Sequence, residues 1–292
     1  MTNNKLRVIF DTNAFTPENF ELLEKGPLIQ LCKMGRIRPI YSHVFLEETF
    51  RAYGHHIKRD DLVKRWIPLI TATADRFCDD FLTIWHRELV QARGIHTNIY
   101  LKPRAQRRLI ESLAHIPLDG TWTAWHDSKP ARDIEDQKRT AQRQISKEIR
   151  LEVATWRKKV NYSSQRHGLP DYHQYLNSEL DHMGRELINS QVHCHNPIEV
   201  AYRWSRNKYA YPYFTKFVEN ILYIAFFAMT RQSEKIDHNA QADLDLMTHL
   251  LRADALVSNE AGFLRSAFDD LWRPKGKVIF TSQEFATFIK KL

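Results

Sequence analysis

The chain is poor in cysteine, in glycine and in uninterrupted apolar sequence, and each shortage excludes something. Its 292 residues include three cysteines, Cys32, Cys78 and Cys194, odd in number and far apart. That usage fits reduced thiols in a cytoplasmic compartment rather than a disulfide framework. There are nine glycines, and no Gly-rich phosphate loop follows the first strand-like run, which argues against dinucleotide binding. The greasiest stretch, Tyr211 to Met229, is interrupted by Lys216, Glu219 and Asn220, and the opening MTNNKLRV holds no apolar signal core. No membrane span, and no membrane partner, is therefore expected. His193-Cys194-His195 is not a zinc site by spacing, because adjacent residues cannot easily surround a tetrahedral ion and no second ligand pair follows.

What is present is a sizeable core and a basic middle. Apolar residues make up 43% of the chain, enough for one large domain or two smaller ones in a soluble globular protein. The formal charge is +8, and it is unevenly placed: Arg51 to Lys216 carries 28 Lys+Arg against 19 Asp+Glu, so this stretch holds the whole basic excess. A polyanionic partner fits such a distribution, although solvated basic surfaces are common.

The flanks read as alternating strands and helices. Leu6 to Phe10, Arg36 to Tyr41, Ala255 to Ser258 and Lys277 to Phe280 are short runs rich in strand formers. Thr16-Pro17-Glu18 opens a helix expected to run toward Met34, Val44 to Ala52 suggests a second, and further helices follow from about Ala261 and Gln283. Thr281-x-x-Glu284 is a capping box for the last of these. The alternation predicts an α/β fold of three layers, α/β/α, with a mostly parallel sheet. The middle has helical apolar spacing from Leu62 to Ala92, a charged helical texture from Arg132 to Val160, and no strand-rich stretch. Phe214 to Met229 is apolar on almost all sides, which predicts a buried helix rejoining the α/β part. The expected organisation is a discontinuous α/β domain, residues 1–54 and 214–292, interrupted by a basic helical insertion, 55–213.

The sequence KLRVIFDTNAF poses the functional question, since its strand ends abruptly on Asp11. In parallel α/β sheets, sites form beyond the carboxyl ends of the strands. Asp11 lies at such an end, Glu47 and Glu48 follow the second strand, Asp243 and Asp245 open the helix before the third, and Glu260 follows the third. Any one of these is most simply a helix-end acid facing the macrodipole. As a set they would repel one another unless a cation neutralised them, and oxygen-only ligands favour Mg²⁺ or Mn²⁺.

RVIFDTNAF, YSHVFLEETF and ADLDLMTHLLRADALVSNEAGF resemble the successive acidic motifs of the PIN-domain nucleases, metal-dependent ribonucleases of compact α/β/α fold. The resemblance covers residues 5–55 and 215–290 and says nothing about the long middle. It implies a first acid at Asp11 and a second at Glu48, with Glu47 the alternative. The third falls on Asp243 or Asp245, which diverge by about 200° on a helix, with Asp243 favoured. The fourth falls on Glu260, where the family usually has aspartate. Asn13, Ser258 and Asn259 match its site-shaping positions, though each could equally be a turn residue. The activity implied is hydrolysis of RNA phosphodiesters with Mg²⁺ or Mn²⁺ held by these acids.

YRWSRNKYAYPYF, residues 202–214, interleaves Arg203, Arg206 and Lys208 with Trp204 and several tyrosines, a pattern that can grip a nucleic-acid backbone and stack bases. A partly buried connector with snorkelling bases is the structural alternative. Competing functional expectations are a PIN-like scaffold that binds nucleic acid or protein without cutting, and a haloacid-dehalogenase-type phosphatase. The phosphatase chemistry wants a second acid where Asn13 stands. A second copy of the chain or an inhibitor protein remain open as further partners.

Overall fold

The structure, a computed structural model, describes residues 5–51, 56–116, 137, 168–230 and 240–292. The chain divides into two compact units. One comprises residues 1–79, 99–135 and 252–292 and contains the sheet; the other, 80–98 and 136–251, is helical among its described residues.

The sheet unit is built on five parallel strands, β1 (Leu6–Phe10), β2 (Ile37–Tyr41), β3 (Arg76–Phe77), β4 (Ala255–Val257) and β5 (Val278–Phe280). They lie in the order β3-β2-β1-β4-β5. Val8, Ile9 and Phe10 are buried on both faces, as expected of a central parallel strand whose faces are covered by helices. Phe10 stacks on Tyr41 at 6.1 Å and meets Phe285 edge-on at 5.7 Å. Burial of each such ring contributes about 2–3 kcal/mol, and here it fixes the strand end that carries Asp11.

From β1 the chain winds one way, through α1 (Pro17–Glu24) and α2 (Leu28–Lys33) to β2, then through α3 (His43–Arg51), α4 (His56–Asp61) and α5 (Ile67–Thr73) to β3. On the other side of β1, β4 leads through α12 (Phe263–Leu271) to β5 and α13 (Ser282–Ile289). With right-handed crossovers, winding in opposite directions places connections on opposite faces of the sheet, which is compatible with three layers. The direction reverses between β1 and β4.

Two local expectations change. The helix expected from Pro17 to Met34 is broken into α1 and α2 at Gly26-Pro27, because proline has no N–H to donate and disfavours a helical residue before it. Within the stretch read as wholly helical, Ala74 ends α5 and the chain joins the sheet edge: Asp75 N–H donates to Pro39 O at 3.0 Å and Cys78 N–H to Tyr41 O at 2.9 Å. The sheet unit thus extends past residue 54 to residue 79. The expected capping box of α13 is present, with Thr281 N–H donating to Glu284 Oε2 at 2.7 Å and Glu284 N–H to Thr281 Oγ1 at 3.2 Å.

The helical unit contains α6 (Phe81–Trp85), α8 (Leu169–Gln191), α9 (Pro197–Arg206), α10 (Pro212–Thr230) and α11 (Ala240–Thr248); α7 (Pro103–His115) belongs to the sheet unit. The expected charged helix from Arg132 to Val160 lies outside the described residues apart from Gln137. The apolar segment Phe214 to Met229 forms most of α10, which packs on α8 and α11 and belongs to this unit. Of its polar interruptions, Lys216 and Asn220 are buried and Glu219 is half-buried, and all have partners. Lys216 Nζ lies 2.8 Å from Glu219 Oε2, and Asn220 Nδ2 donates to Leu244 O at 2.9 Å and Thr248 Oγ1 at 2.8 Å. No helix among the described residues is long and apolar enough to cross a membrane.

Glu88 explains how α10 begins. Its fully buried carboxylate accepts the Tyr213 N–H at 3.0 Å and the Phe214 N–H at 2.8 Å, two donors that the first helical turn cannot satisfy. Glu88→Ala strands both in the core and is expected to lower stability by about 2–4 kcal/mol in urea denaturation. A loss below about 0.5 kcal/mol would contradict this role.

Candidate functional site at the carboxyl ends of β1 and β4

The reversal of winding between β1 and β4 opens the place where parallel α/β sheets form sites. Asp11 closes β1, its N–H donating to Val257 O at 2.9 Å, and Ser258, Asn259 and Glu260 follow β4. The Asp11 side chain is nearly sealed, with the residue only 4% exposed. Burial pushes its carboxyl above the usual aspartate range. Hydrogen bonds from Ser258 and from the backbone of Thr12 and Asn13 pull the other way, and the charge of Glu260 adds a further upward push.

Ser258 fixes the carboxylate. Its Oγ accepts from Asn13 Nδ2 at 3.3 Å and from the Glu260 N–H at 3.1 Å, which uses both lone pairs. Its proton is left for Asp11 Oδ2, at 2.6 Å. Asn13 and Asn259 extend the network: the Asn259 N–H donates to Asn13 Oδ1 at 2.9 Å, and Asn259 Oδ1 accepts the Ser282 N–H at 2.9 Å while its Nδ2 donates to Ser282 Oγ at 2.8 Å. The ends of β1 and β4 and the start of α13 are thereby tied together.

Thr12 connects the second acid. Its Oγ1 lies 3.2 Å from Glu48 Oε2 and 3.4 Å from Asp11 Oδ1, one hydroxyl shared between two carboxylates. Ser42 at the end of β2 sets α3, its Oγ accepting the Phe45 N–H at 3.0 Å, and the turns that follow direct Glu48 inward. Glu48 is half-buried, whereas Glu47 is exposed. Glu260 is exposed, and its carboxylate lies over Gly262, where an added Cβ would come within 3.0 Å of Oε1.

The sheet unit therefore links Asp11, Asn13, Glu48, Ser258, Asn259 and Glu260 through hydrogen bonds and charge at the carboxyl ends of its strands. No family model, curated protein or solved structure matches this chain. Asp243 and Asp245 lie on α11 of the helical unit. Both are half-buried; burial raises the Asp245 carboxyl to about 7, against a hydrogen bond from Gln241 Nε2 at 2.6 Å.

Among the described residues no three of His, Cys, Asp and Glu are grouped as a complete metal-holding set. The donors around Asp11 are nevertheless all oxygen, and a hydrated Mg²⁺ is commonly held by one or two carboxylates, water and substrate phosphate. Asp11 and Glu48, joined through Thr12, fit that mode of binding. Thr12 and Ser282 escaped the sequence reading; Thr12 adjoins Asp11 and could have been flagged, but Ser282 reads only as the first residue of a capped helix.

One expectation is corrected at the basic stretch. Trp204 is fully buried and donates from Nε1 to Thr215 Oγ1 at 2.9 Å, so it cannot stack on a base. Arg203 pairs loosely with Glu199 at 3.9 Å, and Lys208 pairs with Asp181 at 2.5 Å. Arg206 alone of the three cations has no acid partner among the described residues; it lies over the Tyr202 ring, 5.7 Å from its centroid.

Proposed function

We propose that the chain is a PIN-like nuclease, dependent on Mg²⁺ or Mn²⁺, that hydrolyses RNA phosphodiester bonds at the carboxyl ends of β1 and β4. The observation that carries this reading is the buried Asp11 carboxylate at the reversal of winding, joined through one hydroxyl to Glu48 and facing the charge of Glu260. Burying a carboxylate and placing others beside it is costly unless a cation is bound or its charge is lost. Asp11 and Glu48 would hold the ion, with Glu260 as an outer acid.

A divalent ion there supplies a Lewis acid for the scissile phosphate and acidifies a water for attack. The protein's share is positional. Ser258 keeps the Asp11 carboxylate from rotating, Thr12 holds Glu48 against it, and Asn13 with Asn259 keeps the two strand ends at fixed separation. RNA as the substrate rests on the family resemblance alone.

Manganese binding tests this without requiring a known substrate. Titration of the full chain with Mn²⁺, followed by electron paramagnetic resonance, is expected to show a bound ion in the wild type. Glu48→Gln, which preserves the acceptor for Thr12, is expected to weaken it at least about tenfold. A wild type that takes up no Mn²⁺ at millimolar concentration, or a Glu48→Gln protein that binds as tightly, contradicts the reading.

A further inference from the structure

The helical unit exposes a narrow stripe of large side chains on and just after α9. Ile198, Tyr202 and Arg206 follow one another at four-residue spacing on α9 and so share a face. Tyr209 stands on the short turn that follows. Ile198 is 77% exposed, Tyr202 54% and Tyr209 87%. Rings this open incur a hydration cost in the free protein, and their grouping marks a surface that meets something.

The stripe is held rigid from beneath. Buried Trp204 anchors α9 through its bond to Thr215, and the same Thr215 hydroxyl donates to Lys208 O at 2.8 Å, pinning the turn that presents Tyr209. The turn is closed by the Ala210 N–H to Asn207 O and the Tyr211 N–H to Lys208 O, each at 3.0 Å. Gly94, with a φ of +50°, leaves room for the approach of the Ala210 carbonyl. The backbone that carries both tyrosines is therefore set before any partner arrives.

We propose that Tyr202, Arg206 and Tyr209 form a stacking platform for single-stranded RNA. The Tyr209 ring and the face of Tyr202 away from Arg206 take bases, and Arg206, which lies over the other Tyr202 face and has no acid partner among the described residues, takes phosphate. The choice of RNA rests on the proposed function above, but the platform does not depend on cleavage. The chemistry favours a nucleic-acid strand over a protein. A stable protein interface needs about 800 Å² on each side, whereas single strands are gripped by separated aromatic faces and a few cations. The positive charge left on the stripe, within the stretch that holds the basic excess of the chain, has the sign a phosphate backbone requires.

The test is binding, separated from cutting. Fluorescence anisotropy of a labelled twelve-nucleotide single-stranded RNA would be followed with the full chain in EDTA. Tyr202→Leu and Tyr209→Leu are each expected to weaken binding by about tenfold. Arg206→Gln is expected to weaken it and to lower the slope of log affinity against log salt by about one. Because these side chains lie on the surface, the variants should melt within a degree or two of the wild type, which separates lost binding from lost folding. Duplex RNA of the same sequence should bind with no dependence on the two tyrosines. Unchanged affinity for the single strand in both tyrosine variants overturns the platform, whether the stripe then meets a protein or nothing. A wild type that binds through the stripe but does not cut in Mn²⁺ overturns the nuclease reading and leaves the platform standing.

Discussion

Asp11→Asn is expected to lower cleavage of single-stranded RNA in Mn²⁺ on the order of a thousandfold, a loss of about 4 kcal/mol in transition-state stabilisation. The amide keeps an oxygen to accept from Ser258, at 2.6 Å in the wild type, so the strand ends stay tied. What it removes is the charge. The effect on stability runs the other way and depends on pH. Burial raises the Asp11 carboxyl, so the folded protein holds that proton more tightly than the unfolded chain. The stability this confers is complete below the ordinary aspartate range and is lost as pH rises through the raised value. In EDTA at pH 7 the Asn variant should therefore melt no lower than the wild type, and its standing relative to the wild type should improve as pH is raised from 4. A variant that loses activity only because it has unfolded would show a collapsed transition instead.

The second large effect is structural. Gly184 lies in α8 where the indole of Trp204 packs, and a Cβ built there falls inside the van der Waals surface of three ring carbons. Helix propensity alone favours Ala over Gly by about 1 kcal/mol, so Gly184→Ala at an open position would stabilise. Here the opposite sign is expected. Trp204 is fully buried, meets Phe214 edge-on at 5.4 Å, and cannot swing away without breaking its bond to Thr215. The net loss should reach about 2–3 kcal/mol, since overpacking of a filled core costs that much before relaxation. Urea melts decide it: a midpoint raised by the substitution contradicts the packing of α9 on α8.

Most of the sheet was legible because its strands are apolar runs bounded by polar turns. Leu6 to Phe10 and the strand beginning at Ala255 stand where expected, and the box at Thr281 and Glu284 marked the last helix by chemistry alone. β3 was not legible. Two residues, Arg76 and Phe77, carry no period, and the apolar spacing on either side reads as one helix. The neighbours of α10 were not legible for a different reason: a helix apolar on nearly all sides is buried somewhere, but its sequence does not name what it packs on. It packs on α8 and α11.

The site shows the same division. Asp11 could be singled out from sequence because a polar triplet ends a strand. The hydrogen bond between Thr12 and Glu48 was not legible, because it depends on how α3 approaches β1. Trp204 could have been assigned correctly from spacing. It stands two residues from Tyr202, about 200° around a helix, so one ring had to face inward if the other faced solvent. The structure places Tyr202 outward and Trp204 in the core.

The most direct measurement is the fate of a labelled single-stranded RNA incubated with the purified wild-type chain in Mn²⁺, in EDTA, and with Asp11→Asn in Mn²⁺. The account predicts cleavage in the first alone. Cleavage that persists in EDTA, or that Asp11→Asn carries out at the wild-type rate, would contradict a metal-bound Asp11 as the centre of this protein's chemistry.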